Sequence, residues 1–96
     1  MTDLIIIGGG IIGGSTLYHL AKAGYPGSVL ILEREDALSK GSTALSAGGF
    51  RNIWTTPINM KLTSYSIKRL ANFREELDWP IGFDQRGYLF LSLIHI

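Results

Sequence analysis

The chain has 96 residues, nine Lys or Arg against eight Asp or Glu, and no cysteine, which excludes a disulfide scaffold, a thiolate metal site and a cysteine nucleophile. Its basic residues are dispersed, so neither a nucleic-acid stripe nor a polybasic membrane patch is expected, and His19 and His95 have neither metal-ligand spacing nor an adjacent acid. The first strand begins at residue 3 and glycines interrupt the N-terminal apolar segment, so the expectation is a cytoplasmic protein with no cleavable leader and no membrane span.

Leu4 to Ile7 is a run of large aliphatics bounded by glycine, the pattern of a strand buried on both faces of a parallel sheet. Gly8, Gly10 and Gly13 follow as G-x-G-x-x-G, with a helical pattern from Ile11 to Ala23 behind them. In that setting Gly8 permits the tight turn, Gly10 the close approach of backbone to a pyrophosphate, and Gly13 the seating of helix on strand. The first turn of the helix, with Ile11 and Ile12, offers unpaired N–H groups and a positive dipole end to phosphate. Ser28 to Leu32 reads as the second strand, and Glu33 at its tip lies twenty residues beyond Gly13. A carboxylate there accepts hydrogen bonds from a ribose diol and repels a 2′-phosphate, so the ligand is FAD or NAD rather than NADP.

Residues Arg34 to Asn52 are rich in Ser and Gly. They suit a loop that approaches a ligand with its backbone, because segments after strand C-termini line the crevice of an open parallel sheet. Thr56 as N-cap and Pro57 at the first helical position open an amphipathic helix carrying Ile58, Leu62, Tyr65, Leu70, Phe73 and Leu77, ended by Trp79 and Pro80. Ile81 to Asp84 and Gly87 to Leu91 read as two short strands about a Gln85-Arg86-Gly87 turn. The last six residues, Leu91 to Ile96, match an in-frame translation of a transposon-end sequencing adapter. The natural sequence is therefore expected to end at about Phe90 or Leu91, with 92–96 adapter-derived; the alternative is an ordinary strand continuing to Ile96.

The segments IIIGGGIIGGSTLYHLAKAG, VLILERE, GSTALSAGGFR and IGFDQRGYLF together resemble the N-terminus of flavoproteins of the D-amino-acid oxidase superfamily, which includes sarcosine oxidase, glycine oxidase and dimethylglycine dehydrogenase. The resemblance covers Asp3 to Phe90 and implies an α/β fold. Residues 1–77 would be the N-terminal part of a Rossmann-like FAD-binding domain, with a parallel βαβ unit and a long helix, and 78–91 the opening hairpin of a substrate domain. It favours FAD over NAD as cofactor. By position, Gly8, Gly10, Ile11, Ile12 and Gly13 resemble the pyrophosphate turn, Glu33 the ribose acid, and Arg34 a neighbour of the adenine. Ser42 and Thr43 resemble residues bonded to the phosphate and ribityl chain, Ala47, Gly48 and Gly49 the backbone beside the flavin, and Arg51 an arginine that binds a substrate carboxylate.

Three positions depart from the family pattern: Gly14 stands where a larger aliphatic is usual, Leu17 where an alanine is usual, and Ala44-Leu45 in place of Gly-Arg or Trp-His. Leu45 cannot carry a covalent flavin. The implied activity is oxidation of the C–N bond of an amino acid or N-methyl amine by hydride transfer to flavin N5, with small-molecule amine substrates and an unassigned electron acceptor. No general base and no metal site is visible, and the 96-residue chain itself is expected to be an inactive fragment. The alternatives are a flavin dehydrogenase of a hydroxy acid or polyol phosphate, and a non-catalytic dinucleotide-binding fragment.

Overall fold

The computed structural model describes residues 1–91. In chain order its elements are β1 (Leu4–Ile7), α1 (Ile11–Lys22), β2 (Val29–Leu32), α2 (Ser42–Leu45) and α3 (Pro57–Glu76). They fall into two compact units, Met1–Gly48 and a second that begins at Gly49.

In the first unit β1 and β2 pair in parallel, with Leu4 opposite Val29, Ile5 opposite Leu30, Ile6 opposite Ile31 and Ile7 opposite Leu32. Parallel neighbours need a crossover, which α1 supplies. Because side chains alternate across a strand, Leu4, Ile6, Val29 and Ile31 share one face and are half-buried. A Cβ on Gly13 of α1 would lie 3.3 Å from Ile6 Cγ2, so this is the face on which the helix sits. The opposite face carries Ile5, Ile7, Leu30 and Leu32, all exposed, Ile7 at 87%. The expectation of strands buried on both faces is therefore corrected: among the described residues one face is covered, and no large apolar side chain is fully buried.

Polar groups close both ends of the strand pair. At the start, Ser28 donates its N–H and its hydroxyl to Asp3 Oδ2 at 2.7 and 2.8 Å, while the Asp3 N–H donates to Ser28 Oγ at 3.1 Å. These bonds hold the Asp3 carboxyl below the usual carboxylate range. At the far end the Gly8 N–H donates to the Leu32 carbonyl at 2.8 Å. Helix α1 stops one residue before the expected end. Gly24, at φ +73°, gives its N–H to Ala21 O, and the Tyr25 N–H reaches back to Leu20 O, both at 3.0 Å, the paired bonds of a glycine-terminated helix.

In the second unit α3 starts at Pro57 as expected, with Thr56 extended at φ −93°, ψ 122°. The Thr56 hydroxyl makes no capping bond; its carbonyl receives the Met60 N–H at 3.1 Å. The helix ends at Glu76 rather than at Trp79 and Pro80, because Asp78 turns into the left-handed region at φ 48°. Arg69 and Glu76, two turns apart on α3, form an ion pair at 2.8 Å. Residues 85–87, expected as a turn, are assigned neither turn nor bend; Gly87 has φ +77° and Arg86 Nε donates to Asp84 Oδ2 at 2.6 Å. The flanking strands expected at 81–84 and 87–91 are absent as well: residues 81–91 have no ladder. Two short strands are marginal unless a third strand or a helix buries one face. Residues 92–96, and with them the adapter reading, lie outside the described residues.

Candidate functional site

The glycine turn is built by exclusion of side chains. Gly8 sits at φ +105°, where L-residues are strained. A Cβ on Gly13 would stand 2.0 Å from the Gly8 carbonyl oxygen, so backbone itself forbids any larger residue. On Gly10 it would stand 2.8 Å from Thr43 Oγ1. Gly9, to which the sequence reading gave no role, is one of two buried residues of the turn, the other being Gly13. Leu38 and Glu33 cover it; a Cβ there would meet Leu38 Cδ2 at 2.4 Å.

Glu33 is bound to this turn from the tip of β2. Its Oε2 accepts the Gly9 N–H at 2.7 Å and its Oε1 accepts the Glu35 N–H at 2.9 Å. The Glu35 amide, then the Gly9 amide, and in smaller measure Arg34, hold the carboxyl below its ordinary value. An ionised carboxylate has about four lone-pair sites; two backbone donors leave acceptor capacity for a ribose diol. Arg34 is exposed and turned onto Glu35 at 3.0 Å.

Gly10, the N-cap of α1, has no side chain with which to close the helix. Thr43 supplies one from a distance of 32 residues, its Oγ1 accepting the Ile11 N–H at 3.0 Å. Thr43 and Ser42 belong to α2, a single helical turn inside the segment expected to be a loop, in which the Ala44 and Leu45 N–H groups both reach Gly41 O. The same segment is tied to the glycine turn a second time, by the Ser39 N–H on Gly9 O at 3.0 Å. Beyond Ala47, Gly48 turns at φ +68° with its N–H on Ser46 Oγ at 3.0 Å.

The expected residues thus divide. Gly8, Gly10, Ile11, Ile12, Gly13, Glu33, Arg34, Ser42, Thr43, Ala47 and Gly48 are in the first unit, whereas Gly49 and Arg51 are in the second. There a Cβ on Gly49 would lie 2.8 Å from Tyr88 Oη. The Arg51 guanidinium lies over the Trp54 ring at 5.8 Å. Neither Thr43 as the cap of α1 nor the Asp3–Ser28 clip was expected; an unclosed Gly at the helix start, followed by a Ser-Thr pair, is the only sequence signal for the first. Among the described residues no three His, Cys, Asp or Glu side chains are grouped to hold a metal. No described helix is long and apolar enough to cross a membrane.

Residues 3–93 match the family of FAD dependent oxidoreductases known as DAO. The chain belongs to this family. Its FAD-dependent relatives include FAD-dependent oxidoreductase domain-containing protein 1 of Xenopus laevis, 37% identical over 99 residues, which takes in 94% of this chain and 20% of that protein. Mitochondrial dimethylglycine dehydrogenase of Homo sapiens is 41% identical and mitochondrial sarcosine dehydrogenase of Homo sapiens 36% identical, each over 91 residues, 94% of this chain and 10% of the relative. The chain therefore spans between a tenth and a fifth of the length of these relatives. No solved structure matches it. The cofactor of the DAO family is FAD, and the geometry suits it: a glycine turn too tight for side chains, a helix N-terminus beside it, and an ionised acid at the tip of β2.

Proposed function

We propose that this chain is the FAD-binding N-terminal part of an enzyme that oxidises the C–N bond of an N-methylated amino acid or a related amine. The observation that carries the cofactor half of this reading is Glu33, an ionised carboxylate held against the glycine turn by the Gly9 N–H at 2.7 Å. The amine half is supported by the relatives named for dimethylglycine and sarcosine, both N-methyl amino acids.

Each residue then has a defined task. Ile12 at the start of α1 faces the pyrophosphate with its backbone N–H, and Ile11 and Ile12 together place the positive end of the helix dipole there. Thr43 accepts the Ile11 N–H and keeps its own hydroxyl proton to donate to a phosphate oxygen. Glu33 accepts the ribose hydroxyls, with Arg34 at the adenine end. Ser42, Ala47, Gly48 and Gly49 serve the ribityl and flavin portion. Arg51 grips the substrate carboxylate, a task suited to a planar guanidinium that stays charged in a dry pocket. Bound FAD supplies the hydride acceptor.

The test is anaerobic mixing of the complete flavoprotein with N,N-dimethylglycine, sarcosine, glycine and proline, and separately with hydroxy acids and a polyol phosphate. Bleaching of the flavin band by the amines is expected. Bleaching by the hydroxy compounds alone would overturn the amine reading.

A further inference from the structure

We propose that Trp54 is a positioning residue, which holds the Arg51 guanidinium through a cation–π contact and leaves its N–H groups open to a carboxylate. The inference rests on the reading of Arg51 as the group that binds substrate carboxylate. Three contacts build the arrangement. The Trp54 indole N–H donates to the Arg51 carbonyl at 3.2 Å, which orients the ring back along the chain. The guanidinium carbon then lies 5.8 Å from the ring centroid, within reach of a cation–π contact. Asn52, between them, donates from Nδ2 to Ser64 Oγ on α3 at 2.8 Å, anchoring the loop to a helix.

What this contact leaves open is as informative as what it occupies. A cation–π contact uses none of the guanidinium N–H groups as a hydrogen-bond donor to an oxygen, so they remain available for a bidentate grip. Arg34, Arg69 and Arg86 are each paired with an acid, Glu35, Glu76 and Asp84 at 3.0, 2.8 and 2.6 Å. Among the described residues Arg51 has an indole and no carboxylate. The positive charge of Arg51 beside the ring repels a substrate ammonium group and attracts a carboxylate, so this pair reads the acid end of the molecule. Without the contact a long exposed side chain would have to be ordered by the substrate itself, at an entropic cost.

The experiment compares Trp54→Phe and Trp54→Leu in the flavin-loaded enzyme that carries this chain. The readouts are KM and kcat for N,N-dimethylglycine, the affinity for acetate followed by the flavin absorption, and KM for trimethylamine, which lacks a carboxylate. Trp54→Leu should raise KM for dimethylglycine and weaken acetate binding about threefold to tenfold, with kcat, the flavin spectrum and the response to trimethylamine unaltered. Trp54→Phe, which keeps a ring face, should stay close to wild type, and Trp54→Leu added to Arg51→Lys should cost little more than Arg51→Lys alone. Unchanged KM and acetate affinity in Trp54→Leu would overturn the role of Trp54 and spare that of Arg51, as would a loss of kcat and flavin in step with KM, which marks a structural residue. A wild-type enzyme that neither reacts with dimethylglycine nor binds acetate would overturn the carboxylate reading itself, and this inference with it.

Discussion

The two units are held by bonds of different reach. In the unit ending at Gly48, side chains meet backbone across long stretches of chain: Asp3 with Ser28 over 25 residues, Gly9 with Glu33 over 24, and Ile11 with Thr43 over 32. In the unit that begins at Gly49 the polar contacts are mostly near neighbours, Arg51 with Trp54 and Asp84 with Arg86, and Asn52 with Ser64 spans only 12. The difference teaches that a nucleotide-binding βαβ unit is specified by polar closures at both ends of its strands as well as by apolar packing. The second region, one helix followed by a segment without regular structure, has no such closures to impose a ladder on 81–91.

The largest expected effect concerns apolar burial. The sheet face of Ile5, Ile7, Leu30 and Leu32 is uncovered, and burial at about 25 cal/mol per Å² must offset about 1 to 2 kcal/mol of backbone ordering per residue. The isolated 96-residue chain is therefore expected to bind a hydrophobic dye, to melt without a cooperative transition and to purify without flavin. A yellow, cooperatively melting preparation would show that the polar closures suffice alone, and would erase the contrast between the units.

Next is Gly13→Val in the complete flavoprotein. With the Gly8 carbonyl 2.0 Å from the new Cβ, α1 must move off the sheet, at a cost of about 3 kcal/mol. Thermal unfolding and FAD titration check it, and Gly14→Ala, a site with nothing within 4 Å of its Cβ, is the control that should leave both nearly unchanged.

Glu33→Ala should weaken FAD binding by about tenfold, from loss of a charged acceptor. Asp3 and Glu33 both have lowered folded-state values, so each adds stability at neutral pH that is lost as pH falls through and below the ordinary carboxylate range. Chemical unfolding between neutral and acid pH should show this loss in the complete protein. Asp3→Asn with Glu33→Gln should flatten the slope.

The smallest effect sharpens the comparison most. Thr43→Ala should cost about 1 kcal/mol, the usual penalty for an open helix N-terminus, and raise hydrogen exchange at the Ile11 amide; Thr43→Ser should restore both. A loss of the same size on removing the Thr56 hydroxyl, which caps nothing in α3, would mean that capping does not distinguish the two units.

Much of this was legible in the chain itself, for short-range reasons. The aliphatic run at 4–7 marked β1, and the strand read at 28–32 contained β2 at Val29–Leu32, because a short unbroken apolar run beside a glycine-bounded break is itself a strand signal. The Pro57 start of α3 followed from a fixed φ and a missing N–H. Gly8 and Gly13 announced a turn that excludes side chains, and Glu33 its place at the tip of β2. Tertiary structure decided what depends on residues that meet only after folding: that Thr43 closes α1, that α2 interrupts the Ser- and Gly-rich segment, that Leu38 covers Gly9, that Asp3 clips Ser28, and that 81–91 stays without a ladder. A strand or helix is written in the period of neighbouring side chains, whereas a hydrogen bond across 24 to 32 residues depends on where the fold brings two distant atoms, and no local pattern records that distance.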